Sequence, residues 1–141
     1  MTAPPNHEVV SFNFTGRNIL VTGGTTGIGS AIARAYLAAG ANVTVSGTHE
    51  NIEAYSPSPP RGSKYIQFNL SSLRDAEIIA SHLPRLDILI NNAGGTSAPE
   101  NFADAVQKNL IGTEMLTTTL KPALAHSKMP GGASVINVLS S

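Results

Sequence analysis

The stretch that most limits how this chain can fold is residues 18–40, NILVTGGTTGIGSAIARAYLAAG. The apolar run Ile19-Leu20-Val21 reads as a strand, the turn Thr22-Gly23-Gly24-Thr25-Thr26-Gly27-Ile28-Gly29 follows, and Ile28, Ile32, Ala35, Tyr36 and Ala39 then recur at helical spacing. Glycine lacks a Cβ, so Gly23 can take the positive φ of a tight turn, while Gly27 and Gly29 let phosphates and the strand come close to the helix. The first turn of a helix leaves N–H groups unpaired and carries a partial positive charge, which suits an anion. Gly-rich turns also join strands to helices for structural reasons alone, but between a strand and a helix the pattern favours dinucleotide binding.

The rest of the chain repeats the alternation. Gly40 ends the first helix, and Ala41–Ser46 reads as a second strand, which makes a βαβ unit with parallel strands. The Ser/Pro-rich segment 56–62 cannot be a regular helix, so at most one helical turn fits at Asn51–Tyr55. Tyr65–Phe68 is a third strand. Ser72 is placed to cap a helix carrying Leu73, Ala76, Ile79, Ala80 and Leu83, and Pro84 closes it. Leu86–Ile90 has the nearly unbroken apolar pattern of a central parallel strand and runs into the turn Asn91-Asn92-Ala93-Gly94-Gly95. Residues 101–126 are expected to be mostly helical, with Val106, Leu110, Met115, Leu116 and Leu120 on the apolar face and a kink at Pro122. Ser134–Leu139 reads as a fifth strand. Strands alternating with helices predict an α/β fold with a doubly wound parallel sheet in three layers, whose ligands lie beyond the carboxyl ends of the strands. Residues 1–11 are expected to form a flexible arm and 12–141 a single domain.

Composition narrows the function classes. Formal net charge is zero and there is no basic run, which disfavours nucleic acid and anionic membranes as partners. The absence of cysteine removes disulfides, thiolate chemistry and cysteine metal sites. His7, His49, His82 and His126 lack ligand spacing, so no metal is expected. No stretch reaches the ~18 apolar residues of a membrane span, and the N-terminus lacks a leader pattern, so a soluble cytoplasmic protein is the expectation.

Four signatures occur in order: Thr22-Gly23-x3-Gly27-Ile28-Gly29, Asn91-Asn92-Ala93-Gly94, Asn109-Leu110-x-Gly112, and Asn137-Val138-Leu139-Ser140. With them the chain resembles the first half of a short-chain dehydrogenase/reductase of the classical type. The resemblance implies a Rossmann sheet of order 3-2-1-4-5 that binds NAD or NADP, and a reaction that interconverts a carbonyl and a secondary alcohol. It implies that Thr22, Gly23, Thr25, Thr26, Gly27 and Gly29 form the coenzyme-facing turn, with the glycines facing the pyrophosphate. Ile28 would lie under the nicotinamide half, and Asn91, Ala93 and Gly94 would serve the adenosine ribose side. Asn91 and Asn92 have an equal reading as side chains that tie off backbone groups. Asn69 and Leu70 fall where the family usually places an aspartate and its neighbour by the adenine ring. Ser140 aligns with the catalytic serine, which stabilises charge on the substrate oxygen, and Asn109 with the asparagine of the proton relay. At the end of the second strand, Gly47 and Thr48 replace the acidic residue that would favour the ribose 2′-OH. A 2′-phosphate is therefore not excluded, although no Arg or Lys neutralises it, and NADP(H) is slightly favoured over NAD(H).

The pattern also breaks. The family's proton donor is a tyrosine followed four residues on by a lysine that lowers its pKa. Here Tyr36, Tyr55 and Tyr65 are followed at that spacing by Gly40, Pro59 and Asn69. A sheet ending at its fifth strand would also expose an apolar edge. One explanation is a split or cleaved reductase completed by a complementary C-terminal fragment, the whole acting on a small carbonyl or alcohol as a homo-oligomer. The others are a non-catalytic nucleotide-binding or interaction module, and a truncated product without function.

Overall fold

The computed structural model describes residues 10–94 and 101–139. Its elements are β1 (Asn18–Val21), α1 (Gly27–Ala38), β2 (Asn42–Gly47), a 3-10 turn at Ile52–Ala54, β3 (Lys64–Gln67), α2 (Leu73–His82), β4 (Ile88–Asn91), α3 (Phe102–Val106), a π-helical segment (Gln107–Gly112), α4 (Thr113–Thr119), α5 (Lys121–Ala125) and β5 (Ser134–Asn137). All four strand pairings are parallel and the order is β3-β2-β1-β4-β5. This is the doubly wound parallel sheet that the alternating pattern predicts, in the Rossmann order that the resemblance implies.

Period-two alternation sends neighbouring strand residues to opposite faces. Ile19 and Val21 pack with Val43, Val45, Ile88 and Ile90 beneath Ala33, Ile32 and Tyr36 of α1. Leu20 and Leu89 face the other way, against Ala76 and Ile79 of α2 and Leu116 of α4. Each fully buried Leu or Ile removes enough apolar surface from water to contribute about 1.5–3 kcal/mol. The two-sided apolar strands thus specify helices on both faces of the sheet.

Local chemistry sets the helix ends. Ser72 Oγ accepts from the backbone N–H of Asp75 at 3.1 Å, so the expected cap of α2 is formed. Gly40 takes φ +89° after α1. The long helical region departs from expectation in two ways. It breaks at Leu120, and Pro122 sits in the first turn of α5, where its missing N–H costs no hydrogen bond. Within it, the chain widens into the π segment, which changes the helical phase. Leu110, expected on the apolar face, is 66% exposed, and Gly112 is buried against the Leu70 backbone instead.

The start of β4 is anchored by a group hidden in the apolar run. Asp87 is fully buried and accepts hydrogen bonds from Asn18 N (2.8 Å), Ser127 Oγ (2.7 Å) and Lys128 N (3.2 Å), with Arg85 Nε at 3.9 Å. Burial alone would raise its pKa, but these donors and the guanidinium outweigh it and hold the carboxyl below its ordinary value. At the other side of the sheet, β5 is exposed along its length, with Val135 and Ile136 each more than four-tenths accessible. Among the described residues no helix is long and apolar enough to cross a membrane, and none forms a cluster of three metal-ligating side chains.

Candidate coenzyme site

The carboxyl end of β1 delivers Thr22, which is buried, and its hydroxyl ties the two turns at this edge together. Thr22 Oγ1 accepts from the backbone N–H of Asn92 (3.0 Å) and of Ala93 (2.9 Å) and donates to the Ile90 carbonyl (3.3 Å). Its hydrogen-bonding capacity is spent inside the protein, so Thr22 acts here by positioning rather than by facing a ligand. Beyond it Gly23 adopts φ +62° and Gly27 φ +55°.

The glycines divide the work differently from the expected common pyrophosphate face. A Cβ at Gly29 would collide with the Gly23 carbonyl oxygen and Asn92 Nδ2, and one at Gly23 would stand 3.0 Å from Ala93 Cα. These two let turn pack on turn. A Cβ at Gly27 meets nothing within 4 Å, so of the three only Gly27 has room for a side chain, while Gly23 still lines the cleft at this edge. Thr26, the residue before α1, makes no side-chain capping hydrogen bond. The helix thus presents an uncapped positive end.

The Asn-rich turn meets this surface. Asn91 is buried, and its Nδ2 donates to Thr117 Oγ1 (3.1 Å) and Asn137 Oδ1 (2.9 Å), bridging β4 to α4 and β5. Asn92 Nδ2 donates to the Gly23 carbonyl at 3.2 Å. The tie-off reading accounts for Asn92, whose amide meets a backbone carbonyl, whereas Asn91 pairs with two side chains instead. Asn109 lies mid-way through the π segment, and a Cβ on Gly94 would stand 2.8 Å from its Oδ1, so the amide abuts the Asn-rich turn.

These elements enclose a cleft of about 1040 Å³ lined by Gly23, Thr25, Thr26, Ile28, Gly47, Thr48, Asn91, Ala93, Gly94 and Asn109 among others. Thr22, Gly27, Gly29, Asn69 and Leu70 are not among its lining residues. The departure at Asn69 has a local cause, because its Oδ1 accepts from Ser71 N at 2.9 Å and its N–H donates to Asp75 Oδ2. Leu70 packs instead against the α2 and α4 core. Ser140 lies outside the described residues. Asn137, which ends β5 in register with Asn91, stands at this same edge and lines the cleft.

Two further residues enter the site that sequence reasoning did not place there. Ser46 Oγ is buried without a partner among the described residues, although Ser46 lines the cleft. An orphaned buried hydroxyl costs free energy unless a ligand or water meets it. Tyr55 lies over Gly47, and its hydroxyl accepts from the His49 N–H at 3.1 Å and stands 3.3 Å from that of Tyr65, with Thr25 and Thr48 lining the same cleft. Burial pushes the Tyr55 phenol up, but the hydrogen bonds that its ionised form would accept from Tyr65, the His49 N–H, Thr25 and Thr48 outweigh burial and hold it below its usual value. Tyr65 moves the other way, raised by burial, by its hydrogen bond to Tyr55 and by the repulsion that its phenolate would meet from Tyr55. The signal in the sequence was Gly47 itself, since a missing side chain at a strand end leaves room that another residue fills.

An uncapped helix start and an orphaned hydroxyl on one cleft at the carboxyl ends of a doubly wound sheet, with the open Gly27 between the lining residues Thr26 and Ile28, fit the diphosphate and sugar of a dinucleotide. The chain belongs to the short chain dehydrogenase family, whose model matches residues 17–141. Among its relatives is a candidate ketoacyl reductase of the granaticin polyketide synthase from Streptomyces violaceoruber, 34% identical over 137 residues, covering 86% of this chain and 53% of that protein. The L-fucose dehydrogenase of Mus musculus is 31% identical over 140 residues, covering 90% and 50%. The solved structure of Pseudomonas aeruginosa RhlG in its NADP active-site complex superposes with a TM-score of 0.73 at 34% identity, covering 89% of this chain and 54% of that one. The chain spans about half the length of the curated relatives it matches.

Proposed function

We infer that this chain is the N-terminal, coenzyme-binding portion of an NAD(P)(H)-dependent oxidoreductase that interconverts a carbonyl and a secondary alcohol. The observation that carries this reading is the meeting of the uncapped α1 start and the Asn-rich turn at one cleft, with Thr22 fastening one to the other. The bound coenzyme supplies or accepts the hydride at its nicotinamide. The α1 N–H groups and helix dipole hold its diphosphate, for which Gly27 leaves room. Ile28, exposed on the cleft wall, offers apolar surface to the nicotinamide half. Asn109 positions the proton relay, and Ser140 polarises the substrate oxygen. The absence of a carboxylate at position 47 supports NADP(H) over NAD(H), as do relatives solved with NADP or NADPH.

The chain's three tyrosines are not followed by lysine at the required spacing. A C-terminal portion supplies that pair, covers the exposed β5 and chooses the substrate, and the completed enzyme is a homo-oligomer. The test is an NADPH titration with the C-terminal portion present, followed by NADPH oxidation across a panel of carbonyl compounds. Uptake and oxidation are expected, whereas no coenzyme uptake would refute the reading. Uptake without turnover on any carbonyl would favour a non-catalytic nucleotide-binding module, the reading that the absent Tyr-Lys pair supports.

A further inference from the structure

In a dinucleotide-binding βαβ unit, the side chain about 20 residues beyond the glycine turn, at the end of the second strand, reaches the 2′ position of the adenosine ribose. Here that position is Gly47, the last residue of β2. A Cβ on Gly47 would collide with Tyr55 Oη, stand 2.8 Å from Tyr55 Cζ and lie 3.1 Å from Thr25 Cγ2. The phenol, arriving from the segment after the 3-10 turn, therefore fills the space that a side chain at 47 would take. It lines the same cleft as Thr25, Gly47 and Thr48.

Tyr55 is also held there firmly. The His49 N–H donates to Tyr55 Oη at 3.1 Å, the Tyr55 and Tyr65 hydroxyls are 3.3 Å apart, and Tyr65 Oη donates to the His49 carbonyl. A phenol has one proton, and that of Tyr65 is committed to the carbonyl. The proton between the two phenols is therefore Tyr55's, and the bonds close into a ring around His49. Gln67 Nε2 fixes the adjoining Thr48 carbonyl at 2.9 Å, and the His49 ring meets Tyr55 edge-on at 4.8 Å.

We propose that Tyr55, standing where a side chain at position 47 would stand, reads the 2′ substituent of the coenzyme's adenosine ribose and admits a 2′-phosphate by donating its hydroxyl proton to it. The proposal rests on the reading of this chain as coenzyme-binding. A carboxylate at this place would accept from a 2′-OH and repel a phosphate, whereas a neutral phenol beside Thr25 and Thr48 does not. On binding, the Tyr55 proton turns from Tyr65 to the phosphate oxygen, while Tyr65 keeps its bond to the His49 carbonyl. A hydrogen bond to a charged acceptor is stronger than one between neutral groups, so loss of the hydroxyl penalises the phosphate-bearing ligand selectively.

The test compares adenosine 2′,5′-bisphosphate with adenosine 5′-monophosphate, which differ only in the 2′-phosphate, by calorimetric titration of the full-length protein. The wild-type protein should prefer the bisphosphate. Tyr55→Phe keeps the ring over Gly47 and should weaken the bisphosphate on the order of tenfold, with the monophosphate changing less than about threefold. Tyr65→Phe opens the ring of hydrogen bonds without touching the Tyr55 hydroxyl and should leave the ratio of the two affinities within about twofold of wild type. Equal losses for both ligands in Tyr55→Phe, no loss, or a ratio that falls as far in Tyr65→Phe would each overturn the proposal. Wild-type protein that binds neither ligand would refute the coenzyme reading itself, before any substitution is made, and this proposal with it.

Discussion

Thr22 offers the sharpest test of how the site is assembled. Thr22→Val preserves the shape of the side chain and removes the one oxygen that accepts from both Asn92 N and Ala93 N and donates to the Ile90 carbonyl. Two half-buried backbone donors lose their partner in one substitution, and each unsatisfied buried donor costs about 1–3 kcal/mol. Because both lie in a turn that can partly reach water, the expected loss is toward the lower end, about 2–4 kcal/mol in all. Equilibrium urea unfolding measures it as a lower midpoint at unchanged slope. Thr22→Ser is the control, since it keeps the oxygen and loses only a methyl group, at roughly 1 kcal/mol. Coenzyme affinity should fall in the valine variant and survive in the serine variant, because only in the first does the Asn-rich turn lose its Thr22 anchors and keep just the Asn92 Nδ2 bond to the Gly23 carbonyl. A valine variant as stable as the serine variant would refute the reasoning, since it would mean that the two N–H groups find other partners at no cost.

Further outcomes follow from the same geometry. Gly29→Ala places a methyl against the Gly23 carbonyl and should destabilise by about 1–3 kcal/mol in urea unfolding through overpacking. Gly27→Val should abolish NADPH uptake in a fluorescence titration, because the residue has φ +55° and its side chain would enter the open space reserved for the phosphates. Ser140→Ala in the completed enzyme should lower turnover strongly with coenzyme affinity nearly unchanged, and equal turnover would remove Ser140 from the reaction. Asp87→Asn should cost about 1.5–3 kcal/mol near neutral pH through its weakened hydrogen bonds. Since the folded-state pKa of Asp87 is depressed, its stabilisation is present above the unfolded carboxylate value of about 3.9 and is lost as pH falls through the lower folded value. The stability difference between wild type and Asp87→Asn should therefore narrow on going from pH 7 to pH 3.

What could be read from the sequence was what local pattern determines. The β1–turn–α1 unit announces itself because glycine spacing and helical period act over a few residues, and the parallel, doubly wound sheet followed from the repeated strand–helix alternation, while its strand order came only with the family resemblance. The cap at Ser72 was legible for the same reason. Leu110 was not, because helical periodicity assumes one pitch throughout and the π segment changes it. Asp87 was hidden in an apolar run because its partners, Asn18 and Ser127, lie 69 and 40 residues away. Asn69 showed a polar residue near the right strand end, but its amide oxygen is used within its own turn. Tyr55 entered the sequence reading as the end of a helical turn and as a tyrosine lacking a lysine, never as a site residue, since nothing local says that its ring settles over a glycine eight positions earlier.

The pairing of Tyr55 and Tyr65 gives the protein a built-in optical probe. The chain contains no tryptophan and three tyrosines, and the third, Tyr36, is packed edge-on against Phe14 on the α1 side of the sheet. Ultraviolet emission altered by an adenine nucleotide therefore originates mainly from one corner of the molecule. Occupancy of that corner can be followed without a label, and separately from the longer-wavelength signal of a reduced nicotinamide.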